Sequence, residues 1–149
     1  MKRTILIASG ILVVLILVYA DQNRNFYNLE NGKCFTIWKR IGGTCYIIPG
    51  KYWGVNAPDS FVKAKNSGIV TLFFSASQPD NIFVEGQGLE LANEGLPPRF
   101  VAKNLQHDEL LYITDARTAS DLKPDAYRVD MDLGPLYVID YKGHRIKSE

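Results

Sequence analysis

The stretch from Tyr127 to Leu133 alternates without a break: Tyr127, Val129, Met131 and Leu133 are separated by Arg128, Asp130 and Asp132. A period of two puts the apolar side chains on one face of a strand and the charged ones on the other. A chain carrying this pattern must build a sheet with one dry and one wet side.

Shorter runs of β-branched and aromatic residues recur along the chain, each cut off by turn residues. Cys34 to Ile41 and Thr44 to Ile48 flank Gly42-Gly43 and read as a hairpin. In a two-residue turn Ile41 faces Thr44 and Cys45 faces Arg40. Ser60 to Lys65 and Ile69 to Ser75 flank Asn66-Ser67-Gly68, a second hairpin candidate. Ser77 to Asn81 has turn chemistry around Pro79, and Ile82 to Glu85 follows as a short strand. Gly86 to Pro98 is rich in Gly and Pro and reads as loop, with a short strand or helical turn at Leu89 to Asn93.

Arg99 to Lys103 and Glu109 to Thr114 read as strands, and Asp115 to Leu122 as a short helix halted before Pro124. Gly134-Pro135 turns the chain into a strand from Leu136 to Tyr141. Lys142-Gly143 turns it again into His144 to Lys147. Some eight to ten short strands with little helix predict a mainly β domain, a β-sandwich or small barrel. An α+β fold with one packed helix is the alternative.

The first twenty residues stand apart. Lys2 and Arg3 precede a run from Thr4 to Ala20 that carries no charge. As a helix that run is roughly 26 Å long, a little short of a ~30 Å hydrocarbon core. No polar face exists along it, so a soluble core helix fits poorly. A signal anchor is favoured over a signal peptide cleaved after Ala20, for which Val18-Tyr19-Ala20 supplies the small-residue pattern. Either way the basic end stays inside and Asp21 onward lies outside the cytoplasm. The expected organisation is an anchor or signal over 1–20, a polar tether over 21–32 and a β-rich domain over 33–149. The expected location is periplasmic or cell-surface, single-pass with the N-terminus inside, or secreted if cleaved.

Cys34 and Cys45 are the two cysteines. In an oxidising compartment they predict a disulfide, which would stabilise the fold by roughly 3 kcal/mol in the chain-entropy model. The two-glycine hairpin sets Cys45 opposite Arg40 rather than Cys34, so such a bridge demands a different turn or a bulge.

Catalytic patterns are sparse. His107 lies in a polar stretch and His144 follows a turn, neither accompanied by a nucleophile motif. Asp130-x-Asp132-x-Gly134 opens like a calcium loop, but Gly134 and Tyr141 stand where further oxygen ligands belong. Strand alternation accounts for both aspartates. No catalytic residue, metal or cofactor is assigned.

Charge is more informative. The formal net charge of +1 gives no global field for nucleic acid. From Asn31 to Ala76, however, six bases face Asp59 alone, whereas from Ser77 to Tyr141 twelve acids face five bases. Within the basic half Trp38, Tyr46, Tyr52 and Trp53 are interleaved with Lys39, Arg40 and Lys51. Rings beside cations suit sugar faces, anionic polymers or a protein partner. The competing reading puts the aromatics in the core and the cations on the wet face. Trp38, Lys39, Arg40, Lys51, Tyr52 and Trp53 are therefore the candidate binding residues. The expected function is a membrane-tethered, non-catalytic binding domain for a protein or envelope polymer, held to the membrane through residues 4–20. The alternative is a small exported hydrolase using scattered carboxylates or His144.

Overall fold

The computed structural model describes residues 7–16, 23–40, 42–54, 56, 58–75, 78–102 and 126–149. The described residues are mainly β, with two five-stranded sheets and one short helix. Its strands are β1 (Arg24–Asn28), β2 (Cys34–Arg40), β3 (Thr44–Pro49), β4 (Ser60–Lys65), β5 (Ile69–Ser75), β6 (Asn81–Gly86), β7 (Glu90–Asn93), β8 (Arg99–Ala102), β9 (Ala126–Asp132) and β10 (Tyr137–Asp140). The first sheet runs β1-β2-β3-β4-β7 and the second β10-β9-β5-β6-β8. All pairings are antiparallel except β6 with β8.

The two sheets face each other across one core, as in a sandwich. Phe35, Ile37, Ile47 and Val62 meet Val70, Leu72, Val84, Val129, Met131 and Val138, all buried. Each such side chain contributes about 1.5–3 kcal/mol when fully withdrawn from water. The alternation at Tyr127 to Leu133 behaves as expected, with Val129, Met131 and Leu133 inside and Asp132 exposed.

The second predicted hairpin is corrected. Asn66-Ser67-Gly68 joins two strands that do not pair. β4 has β3 and β7 on its edges, and β5 has β6 and β9 on its edges. The turn therefore carries the chain from one sheet to the other. Gly68 N–H donates to Lys65 O (2.9 Å), Asn66 N–H to Gly43 O (2.8 Å) and Leu133 N–H to Gly68 O (3.0 Å). Hairpins and sheet-to-sheet turns use the same residues, and only the occupancy of the remaining strand edges distinguishes them.

The first hairpin forms, in a shifted register. Arg40 lies opposite Thr44 and Lys39 opposite Cys45, with Gly42 and Gly43 at positive φ in the connection. A one-residue slip turns every side chain of a strand over. Cys45 now faces the core, whereas Cys34 faces outward opposite Asn28. Lys39, the residue opposite Cys45, lies five positions along β2 from Cys34, about 17 Å of extended chain. A disulfide tolerates about 7 Å between Cα atoms. The expected disulfide is not present, and both thiols are free.

Part of the expected tether is strand β1. Its asparagines conceal an alternation in which Arg24 and Phe26 point outward and Tyr27 points into the core. Both ends of the sandwich are closed. Asn93 reaches from β7 to β8, donating to Phe100 O and accepting from Phe100 N–H (2.7 Å). At the opposite end Ile146 N–H donates to Val138 O (2.9 Å) and Glu149 N–H to Phe26 O (3.0 Å), so residues 145–149 join the second sheet to the first.

The helix over 7–16 is exposed along its length. No helix among the described residues is long and apolar enough to cross a membrane. Residues 1–6 and 17–20 of the expected anchor lie outside the described residues. His107, the strand expected at Glu109 to Thr114 and the helix expected at Asp115 to Leu122 lie outside the described residues.

Candidate binding face

One row of side chains crosses the whole outer face of the first sheet. Register places Arg24 (β1) beside Trp38 (β2), Trp38 beside Tyr46 (β3), Tyr46 beside Lys63 (β4) and Lys63 beside Glu90 (β7). Arg40, Thr44 and Lys65 form the next row. Directly opposed residues share a face and come within about 5 Å. Trp38, Tyr46, Arg40, Lys63 and Lys65 of the basic half are thus gathered on one surface with Arg24.

The contacts follow from that register. The Arg24 guanidinium lies 4.5 Å from the Trp38 ring centre and 5.7 Å from that of Tyr52, and the Arg40 guanidinium lies 5.0 Å from Trp38 and 6.0 Å from Tyr46. Tyr46 meets Phe61 edge to face at 4.9 Å. Cation–π contacts contribute about 0.5–1 kcal/mol when exposed and about 2 when desolvated. Lys63 is ion-paired with Glu90 at 2.6 Å.

A strap covers part of this face. After β3 the chain turns at Gly50 (φ 76°) and runs back over the strands. The buried Thr36 hydroxyl donates to Gly50 O (2.7 Å) and accepts from Tyr52 N–H (2.9 Å), which pins the strap to β2. Arg24 donates to Gly54 O. A Cβ on Gly54 would run into the tip of the Tyr52 side chain, which would have to move aside. Under the strap Trp38 is 4% exposed, whereas Trp53 is 61% exposed and rests on Phe26 at 4.5 Å.

Trp38, Arg40, Tyr52 and Trp53 are therefore brought together. Lys51 sits at the rim, ion-paired with Glu149. Lys39 is not part of the face. It has the opposite parity, and its Nζ donates to Gly134 O of the second sheet's β9–β10 turn at 2.7 Å. The division into core aromatics and wet-face cations is also corrected, because Trp38 and Arg40 share the outer face. Arg24, Phe26, Phe61 and Lys63 complete the site. Their signal in the sequence was strand parity relative to Trp38, readable only once the register is known.

Compared with known proteins, the chain matches no family, no curated protein and no solved structure.

A second polar group lies at the turn after β10. Ligand atoms of Glu30, Asp140 and His144 lie within 4.8 Å of one another, a grouping able to hold a cation. Much of its capacity is already used. Asp140, 3% exposed, accepts from Lys142 N–H (2.9 Å) and His144 N–H (2.7 Å), and Lys142 Nζ pairs with Glu30 at 3.0 Å. His144 Nδ1 lies 3.5 Å from Asp140, with the His144 side chain 70% exposed. These bonds close the turn after β10. Asp130 and Asp132 serve the strand and its turn: Asp130 accepts from Thr71 Oγ1 (2.8 Å), and Asp132 accepts from Gly134 N–H (3.0 Å).

Two phenols and one thiol are shifted by burial. The Tyr27 phenol is pushed up by desolvation, partly offset by Arg145. That of Tyr127 is pushed up by desolvation and by Asp140. The Cys45 thiol is pushed up to about 11 by burial, with Lys39 opposing, and lies 3.4 Å from Asn66 Oδ1. Such a thiol is a packing group with negligible thiolate at neutral pH.

Proposed function

We propose that this chain is a non-catalytic binding module, tethered to a membrane through residues 4–20 and working outside the cytoplasm. It engages a protein or envelope polymer through the outer face of its first sheet. The observation that carries the reading is the row Arg24–Trp38–Tyr46–Lys63, with Arg40 and Lys65 beside it. The exposed Arg40 and Lys65 beside aromatic rings, with Trp53 standing out of the strap, form the kind of surface on which interface hot spots are built. The uncharged run from Thr4 to Ala20 supports the tether.

The test is affinity capture from envelope extract with the tagged, detergent-extracted chain. Arg40→Glu combined with Lys65→Glu should abolish capture of partners retained by the wild type. Arg99→Glu with Arg128→Glu, on the second sheet, should leave capture intact. Equal capture by all three chains rejects the reading.

A further inference from the structure

Among the described residues, Arg24 is a buried charge on this face with no ion-pair partner. Its side chain is 8% exposed and its Nε has no hydrogen-bond partner. It donates to Gly54 O, and among the described residues no carboxylate pairs with it. A guanidinium stays protonated when buried, and burying an ion without a counter-ion costs several kcal/mol. The rings of Trp38 and Tyr52 and one carbonyl return only part of that. The neighbouring charges worsen the imbalance: Arg40 lies against the same indole, and Lys65 lies beyond it. The nearest acid in the row, Glu90, is on the far edge strand and is engaged by Lys63.

Resting on the binding face proposed above, we infer that Arg24 is an oxyanion site and that the ligand is a linear polyanion bearing repeated phosphate or carboxylate groups. One oxyanion takes the guanidinium fork in place of the Gly54 carbonyl, as Arg binds such groups through two parallel N–H donors. Arg24 and Lys63 are separated by three strand spacings, about 14 Å. One small anion cannot touch both. A chain laid across the strands can, with Tyr46 and the strap's Trp53 offering ring surface along its path. Exchange at Gly54 shifts the strap, so the ligand is felt by Trp38 beneath it and Trp53 upon it. These are the two tryptophans of the protein.

The experiment is a fluorescence titration of the full chain in neutral detergent micelles at low salt. One arm uses inorganic polyphosphate and the other polygalacturonate, which separates phosphate from carboxylate as the source of the oxyanion. At least one polymer should give a saturable tryptophan change that weakens with added salt. Arg24→Gln should weaken binding about tenfold or more, and Arg24→Lys, which keeps the charge and loses the fork, about threefold or more. Circular dichroism establishes folding. If Arg24→Gln does not fold, Arg24→Lys decides. No binding of either polymer by the wild type, or wild-type affinity in the folded Arg24 variants, overturns the inference. If polymers fail while Arg40→Glu with Lys65→Glu still abolishes partner capture, the polyanion is rejected and the binding face stands.

Discussion

Arg24 and Arg128 occupy comparable places on the outer faces of the two sheets and are treated in opposite ways. On the second sheet Arg128 pairs with Asp130 at 3.0 Å, and Asp130 also accepts from Thr71 at 2.8 Å. Register sets Thr71 beside Asp130, so the group is complete within its own face. On the first sheet Arg24 is more deeply buried and stacked on rings, and among the described residues no anion pairs with it. The second face carries Glu85, Asp130 and Asp132 with Arg99 and Arg128, whereas the first carries Arg24, Arg40, Lys63 and Lys65 with Glu90. The charge asymmetry along the sequence has become an asymmetry between faces. Among the described residues, one face comes near charge balance and the other is short of negative charge.

The contrast can be broken by mutation. Trp38→Ala should have the largest effect, about 3–5 kcal/mol, because it removes a ring packed under the strap against Arg24, Tyr46 and Tyr52. Tyr137→Ala on the second face, where the ring is 42% exposed, should cost about 1 kcal/mol or less. Urea denaturation followed by far-ultraviolet dichroism compares them, and equal losses would show that the strap adds no second core. Asp130→Asn should come next, at about 1–2 kcal/mol by the same assay. It strips Arg128 of its counter-charge and makes the second face resemble the first. A neutral result would mean that an unpaired guanidinium is no burden here, which would also weaken the significance of Arg24.

Thiol chemistry sharpens the distinction between outer face and core. Without reductant, the denatured chain should alkylate at both cysteines. The native chain at pH 7.5 should alkylate at Cys34 and hardly at Cys45, whose thiol is buried and raised to about 11. A chain that alkylates only after reduction would restore the disulfide and contradict the β2–β3 register. The smallest effect is expected at the rim of the strap. Lys51 holds the Glu149 carboxyl below its ordinary value of 4.5. A depressed carboxylate stabilises the fold fully above its unfolded pKa, and that contribution disappears as pH falls through the folded value. Glu149→Gln should therefore lower Tm slightly at pH 6, with the difference from wild type closing as pH falls below 4.5. A difference that persists at lower pH argues against the pair.

How much of this was legible in the sequence depended on what each pattern encodes. Strand β9 was plain because one of its faces is wet, so composition and orientation coincide. Strand β2 was visible as a strand, yet the direction of its residues was not, because both of its faces are covered and Phe35, Thr36, Ile37 and Trp38 are all buried. Strand β1 was hidden by asparagines and by Arg24, a residue that composition assigns to the surface. The exchange of sheets at Asn66-Ser67-Gly68 depends on which edges distant strands occupy, and no local pattern records that. The candidate site followed the same logic. Rings and cations could be gathered from one stretch, but Lys39 could not be excluded, nor Arg24 and Lys63 included, before register fixed their faces.

The central claim is that the first sheet's outer face meets the ligand and the second sheet's does not. Hydroxyl-radical footprinting of the chain in native envelopes and in purified micelles tests it directly. Trp53 and Tyr46 should be oxidised more slowly in the envelope than in micelles, while Tyr137 and Tyr141 react alike in both. Protection confined to Tyr137 and Tyr141, or no protection at Trp53, would contradict it.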